Sequence, residues 1–442
     1  MQKYLPDAFV FALLLSALVF ILGIGLTHQS PMQMLVHWGN GFWGLLAFMM
    51  QMVLIVVLGG VVARTPLVAK VIERLASIPK TPTAAIILVT VASGVACMIQ
   101  WGFALVFMGI LAKEVAKKVR GVDYPLLVAS GYSTYILTVL TNSIPMKAAS
   151  NPEELLAQTS GVLENVIPLS ATAHHPATLI AVAIMFVTLP ILNAKMQPSK
   201  EKTRCIDPAL LVDEAPAENV KPRSEMTVAE KLENSRIIAI IAGICGVAYI
   251  VWYFAIAKKS MDINMMNFLL FTVGLVLHGS PMNFIKATLD SVRSCANIMV
   301  QFPFYAGIMG MLSGANAAGV SLAAVISNGI VSVASAHSFP MLTFLSAAIV
   351  NMFVPSAGGQ WAVQAPVMFP AAKALGANYA LTTMSICWGD AWTNTIQPFW
   401  ALPALGIAKL GARDIMGYMV PVLIWQFIII TASILLWTFV FV

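Results

Sequence analysis

LTTMSICWGDAWTNTIQPFW, residues 381–400, is long enough to cross a bilayer, yet it gathers Asp390, Thr393, Asn394, Thr395 and Gln397 just ahead of a proline. Proline lacks a backbone donor and its ring clashes with the carbonyl four residues back, so Pro398 is expected to unwind the turn holding Asn394, Thr395 and Gln397. Such a break frees carbonyls, amides and side-chain oxygens at membrane depth, where unpaired backbone is tolerated only against protein or a water-filled cavity. Half-helix N-termini suit an anion, and freed oxygens suit a sodium ion or a proton carrier. The stretch reads as half of a midplane site in an all-α polytopic membrane protein.

The rest of the chain agrees with that reading. Of 442 residues, 59% are hydrophobic and 10% charged, with a mean hydropathy of +0.85, whereas soluble domains carry roughly 25% charged residues. Apolar runs near 9–26, 42–63, 124–140, 176–194, 235–257, 263–279, 296–314 and 416–440 each approach the ~20 residues that a spanning helix needs. Outer-membrane strands are short and alternate, so these runs predict helices. No small-residue cleavage pattern follows the first run, so it predicts a retained helix rather than a signal peptide. Five scattered cysteines, and His174-His175 without a carboxylate or cysteine at ligand spacing, predict no disulfide, no metal site and no cofactor. The net charge of +6 lies between the spans, where it orients them, and does not point to nucleic acid. GxSxG, HExxH and Walker patterns are absent, and an embedded enzyme would need a nucleophile, metal or acid–base pair beyond Asp390, so an enzyme is the weaker reading.

Residues 195–236 hold 8 basic and 8 acidic side chains and predict a charged cytoplasmic linker between an N-terminal half, 1–194, and a C-terminal half, 237–442. The halves repeat. AKKVRGVDYPLL from Ala116 resembles AAKALGANYALT from Ala371, pairing Gly121 with Gly376 and Tyr124 with Tyr379 at an offset of 255. TNSIP from Thr141 answers TNTIQP from Thr393, and Pro82 and Pro340 each open an apolar stretch broken after about fifteen residues, so offsets run from 252 to 258. Each half is therefore expected to hold a re-entrant hairpin, about 82–119 and 340–375, then a broken helix, about 124–145 and 377–403. Lys80, Lys113, Lys117, Lys118 and Arg120 flank the first hairpin and Lys373 alone flanks the second, which places the first on the cytoplasmic side and the second outside. Five predicted crossings between the repeat starts likewise invert the topology. The stretch 280–293, SPMNFIKATLDSVR, predicts an amphipathic interfacial helix.

Candidate substrate- and ion-binding residues are Thr141, Asn142 and Ser143 on the first broken helix and Asp390, Thr393, Asn394, Thr395 and Gln397 on the second. Gln100 and Trp101 at the first hairpin tip, Ser356, Gly358, Gly359 and Gln360 at the second, and Trp400 join them. Each has a plainer alternative: Asn142 and Asn394 as helix caps, 356–360 as a tight turn, the tryptophans as packing anchors, Asp390 as a structural hydrogen-bond partner. An ionisable group inside a span is costly, which makes Asp390 the sharpest functional candidate. A coupled sodium ion would sit near Asn142 and Asn394. Neither polar knot holds an arginine, and a small monocarboxylate can be held by amides and hydroxyls, its tail against Phe399 and Trp400.

From LPDAFVFALLL through WGNGFWGLLAFMMQM, QFPFYAGI and FVPSAGGQW to QPFWALPALGIAKLGARDIMGY, the chain resembles the short-chain fatty acid transporter family, associated with acetoacetate and butyrate uptake. More distantly it resembles the ion transporter superfamily. That resemblance implies a homodimer in which a scaffold carries a transport domain of two hairpins and two broken helices, moving as an elevator. In relatives, paired Ser-Asn-Thr motifs hold substrate and sodium. Here the tip CMIQWGF lacks that triplet, and the nearest matches are Thr141-Asn142-Ser143 and Thr393-Asn394-Thr395. The implied activity is secondary active transport of short-chain fatty acids across an inner membrane, coupled to H+ or Na+. The rival substrate is another small organic anion such as a dicarboxylate.

Overall fold

The computed structural model describes residues 8–99, 101–149, 152–207, 224–259, 263–292, 295–353, 355 and 357–441. These are helical, with no strand among them beyond one isolated bridge between Ala315 and Ser321. Pro82–Ile99, Pro176–Lys195, Val228–Ile256 and Ala412–Val440 are each long and apolar enough to cross a membrane. A fifth candidate, Met49–Ala63, bends by 83° into the amphipathic helix Pro66–Ser77, where Thr65 is extended and Pro66 opens the new helix.

The segments 82–118 and 339–375 are both helical hairpins. The first pairs Pro82–Ile99 with Trp101–Lys118, two arms of 18 residues, longer than the short pieces that the sequence suggests. Gly94 and the small residues around it do not interrupt the first arm, and it runs on to Ile99. The second hairpin pairs Phe339–Asn351, 13 residues, with Ala357–Leu375, 19 residues. Its arms run antiparallel: Gln360 Nε2 donates to Ala347 O at 2.8 Å, Gln364 Nε2 to Ser346 Oγ at 3.0 Å, and Thr343 Oγ1 contacts Met368 Sδ at 3.8 Å.

A broken helix follows each hairpin, and the two begin alike. Gly121 (φ 76°) and Gly376 (φ 67°) take the left-handed conformation that a Cβ would oppose. Two residues on, Asp123 and Asn378 act as N-caps, accepting from the amides of Leu126 and Leu381 at 2.9 Å each. The first broken helix runs Tyr124–Tyr132, tightens to 3-10 turns over Ser133–Thr141, stops at extended Asn142, and resumes as Ser143–Ala148. The second runs Tyr379–Thr393, stops at Asn394, and resumes as Leu402–Ala408.

Hairpins and broken helices pack on one another and on Pro176–Lys195 and Ala412–Val440. A second group joins Ala8–Thr27, Pro31–Phe42 and Ala296–Ser313, and a third joins Leu46–Ala63, Ile263–His278 and Pro281–Val292. Pro281–Val292 is the amphipathic helix: it buries Phe284, Ala287 and Ser291, the last meeting the Arg64 guanidinium, and leaves Leu289 exposed. The linker is not a free tether at its start. Arg204 N donates to Asp123 Oδ2 at 2.8 Å, Tyr124 N donates to Arg204 O at 2.8 Å, and the Arg204 guanidinium pairs with Asp414 at 2.9 Å.

Candidate functional site

Pro145 and Pro398 explain where the two helices fail. Each lacks a donor for the carbonyl four residues back, that of Thr141 or Asn394, and the helix stops there. The carbonyl of Asn394 is not left open: Tyr132 Oη donates to it at 2.6 Å. The first broken helix thus satisfies the second across the core, and this acceptor is removed from the set available to a ligand.

Asp390 sits one turn before that break, fully buried at 1% exposure. Its Oδ2 accepts from Asn142 Nδ2 at 3.1 Å. Its Oδ1, also buried, has no hydrogen-bond partner among the described residues. Asn142 does two things at once, since its Oδ1 caps the short helix by accepting from Ile144 N at 2.8 Å. Capping and site membership, which read as rivals in the sequence, are carried by opposite ends of one carboxamide.

Asn351, at the end of the second hairpin's first arm and 0% exposed, ties the C-terminal knot together. Its Nδ2 lies 2.8 Å from Asp390 O, 2.9 Å from Thr393 Oγ1 and 2.7 Å from Asn394 Oδ1. Thr395 turns the other way and donates to Gln426 Oε1 at 2.7 Å, and Gln426 Nε2 donates to Ser133 O at 3.1 Å. Gln397 is buried and its Oε1 accepts from Phe399 N at 3.2 Å, leaving its amide nitrogen without a partner among the described residues.

The aromatic candidates form a wall. Trp101 and Trp400 meet edge to face with centroids 5.2 Å apart, and Tyr135 lies 5.8 Å from Trp400. Phe399 stacks on Phe302 at 4.3 Å and takes Tyr305 edge-on at 5.0 Å, so the wall reaches Ala296–Ser313.

The structure therefore brings Asn142, Asp390, Thr393 and Asn394 into one hydrogen-bonded cluster. Other candidates fall outside it. Thr141 bonds back to Thr138 O at 3.3 Å, and Ser143 faces the exterior. Gln360 turns into its own hairpin, donating to Ala347 O and to Gln364 Oε1 at 2.7 Å. Gly358 and Gly359 lie in the first turn of the second arm, half-buried. Gln100 and Ser356 lie outside the described residues. Sequence reasoning missed Asn351, Tyr132 and Gln426. Asn351 stands four residues before Pro355 at the end of an apolar run, the one local signal that could have marked it.

Residues 1–438 match the family model described as short chain fatty acid transporter. A relative from Haemophilus influenzae is 42% identical over 428 residues, covering 96% of this chain and 94% of its own. One from Escherichia coli K12 is 40% identical over 432 residues, covering 97% and 95%. Both names assign them provisionally to short-chain fatty acid transport. Among solved structures, the YdaH transporter of Alcanivorax borkumensis aligns over 98% of both chains at 14% identity, with a TM-score of 0.47.

Proposed function

The chain belongs to the short-chain fatty acid transporter family, a family of multi-pass membrane transporters, and we propose that it moves butyrate- or acetoacetate-like monocarboxylates by secondary active transport, coupled to H+ or Na+ through Asp390. The observation that carries the coupling is the buried carboxyl with one oxygen bonded to Asn142 and the other without a partner among the described residues. A bare charge in that setting is costly, and a proton or a cation on Oδ1 removes the cost. Asn142 and Asn351 tie the two broken helices and the second hairpin to this one residue, so loading Asp390 is felt by all three.

The wider reading is an inner-membrane homodimer in which the hairpins and broken helices form a moving unit, with the two halves related as inverted repeats. Supporting it are the matched starts of the broken helices, from Gly121 and Asp123 in one half and Gly376 and Asn378 in the other. Single cysteines introduced by Lys118→Cys and Lys373→Cys, in a background without native cysteines, are expected to label from opposite sides of the membrane with an impermeant maleimide. Both native side chains are exposed, and the Lys118–Glu73 pair lost in one variant is a surface pair worth little. Labelling from the same side would remove the inverted repeat.

The test of function is uptake of labelled butyrate by purified protein in liposomes. Accumulation above the outside concentration is expected under an imposed proton or sodium gradient. Equilibration under both gradients would leave a facilitator, and absence of uptake would remove the reading.

A further inference from the structure

We propose that Gln426 is a positioning residue of transport: it pins the start of the 3-10 stretch Ser133–Thr141 and so keeps Asn142 facing Asp390. The proposal rests on the transporter reading above, with coupling at Asp390. Gln426 stands midway along Ala412–Val440 and is 0% exposed. A side-chain amide buried this way needs partners at both ends. Its Oε1 accepts from Thr395 Oγ1 at 2.7 Å and its Nε2 donates to Ser133 O at 3.1 Å. One side chain therefore joins the residue after Asn394 in the second broken helix to the residue at which the first leaves the α-helix. The helix that carries Gln426 is itself anchored, since Trp425 Nε1 donates to Thr188 Oγ1 of Pro176–Lys195 at 2.9 Å. From Pro176–Lys195, Asn193 Nδ2 donates to Ser133 Oγ at 2.8 Å. Ser133 is thus held at its carbonyl by one helix and at its hydroxyl by another.

The start of this run decides where its end points. Runs of 3-10 helix beyond about four residues are uncommon, because their hydrogen bonds are poorer, yet this one has nine residues. Within it the hydroxyls of Ser133, Thr134, Thr138 and Thr141 all bond three residues back, as the tighter winding requires. An α-helix turns about 100° and rises about 1.5 Å per residue, a 3-10 helix about 120° and about 2.0 Å. Over nine residues the difference is about 180° of rotation and about 4.5 Å of length. Tyr132, the last residue before the run, is fixed by its bond to Asn394 O at 2.6 Å, so a change of winding moves the far end. Rewound as α-helix, the run would carry Asn142 to the opposite side of the axis and break its 3.1 Å bond to Asp390 Oδ2. Oδ1 already has no partner among the described residues. Asp390 would then lack a donor on either oxygen, and the charged form that coupling requires once per cycle would lose its support.

Wild type, Gln426→Met and Gln426→Asn are to be compared in liposomes with labelled butyrate. Two quantities are read per folded molecule: the steady ratio of inside to outside substrate under an imposed gradient, and exchange of internal for external substrate. Gln426→Met keeps the length of the side chain and removes its donor. It is expected to lose accumulation while exchange stays within about threefold of wild type, as an Asp390 that cannot cycle through its charged form would behave. Gln426→Asn, one methylene too short to reach both partners, is expected to show the same split in milder form and serves where the methionine variant folds poorly. A purely structural role would lower accumulation and exchange together. Parallel loss of the two, or wild-type accumulation in both variants, overturns the assignment and leaves the transporter reading standing. A wild type that only equilibrates butyrate, or takes none up, overturns the reading beneath it as well.

Discussion

Asp390→Asn is expected to abolish concentrative uptake while leaving exchange of internal for external substrate measurable. The substitution is nearly isosteric, and a carboxamide oxygen in the place of Oδ2 can still accept from Asn142 Nδ2, so the 3.1 Å link between the two broken helices survives. The capacity to take a proton or balance a cation is lost. Oδ1 has no partner among the described residues and is buried, so the wild-type carboxylate bears a desolvation cost that the coupling ion relieves. A neutral amide bears a smaller cost, that of a buried N–H group rather than of a charge, and thermal stability should hold. The readout is the steady ratio of inside to outside labelled butyrate under an imposed gradient, alongside counterflow. Asp390→Asn that still concentrates substrate would return Asp390 to a structural partner, and coupling would have to come from uncharged oxygens such as Asn351 Oδ1.

What the sequence makes legible is chemical and local. Pro145 and Pro398 each dictate a break through the missing donor, and both breaks lie within a turn of where the rings put them. Gly121 and Gly376, aligned by sequence, share a left-handed backbone because the same turn precedes the same cap. The rest depends on which helix faces which. No local motif reveals that Tyr132 takes the carbonyl freed at Asn394, since 262 residues separate them. Asn351 is silent for the same reason: its three contacts all lie on another helix, 39 to 43 residues on. Gln360, polar and beside two glycines, looks like a ligand in the sequence but bonds within its own hairpin, because a buried amide must find partners wherever helix packing puts it.

Gly389→Ala is expected to separate the second broken helix from its hairpin and to remove transport with it. A Cβ on Gly389 would lie 2.5 Å from Phe344 O and 2.8 Å from Ala348 N, with the Ala347 methyl closer still. Two of these neighbours are backbone, so no rotamer change relieves the clash and the helices must move apart. Overpacking of this kind costs typically 1–3 kcal/mol. The displacement falls at the residue before Asp390 and one turn from Thr393, where Asn351 reaches all three of its partners within 2.9 Å. A shift of half an ångström or more at this spot would weaken bonds already near their usual ~2.9 Å separation. Gly131, in the first broken helix, supplies the internal comparison: a Cβ there meets Met108 Cβ at 3.0 Å and Ser93 Oγ at 3.2 Å, tight but longer than the contacts at Gly389, so Gly131→Ala should cost less. Gly417, inside Ala412–Val440 with nothing within 4 Å of its Cβ position, should tolerate alanine with a gain of roughly 0.5–1 kcal/mol from helix propensity. Thermal unfolding of the detergent-purified variants should therefore rank Gly417→Ala above wild type, then Gly131→Ala, with Gly389→Ala lowest. Uptake per folded molecule should be lost only in Gly389→Ala. A Gly389→Ala protein that melts and transports like wild type would mean that the close approach of the two helices is not what holds Asp390, Thr393 and Asn394 in register with Asn351.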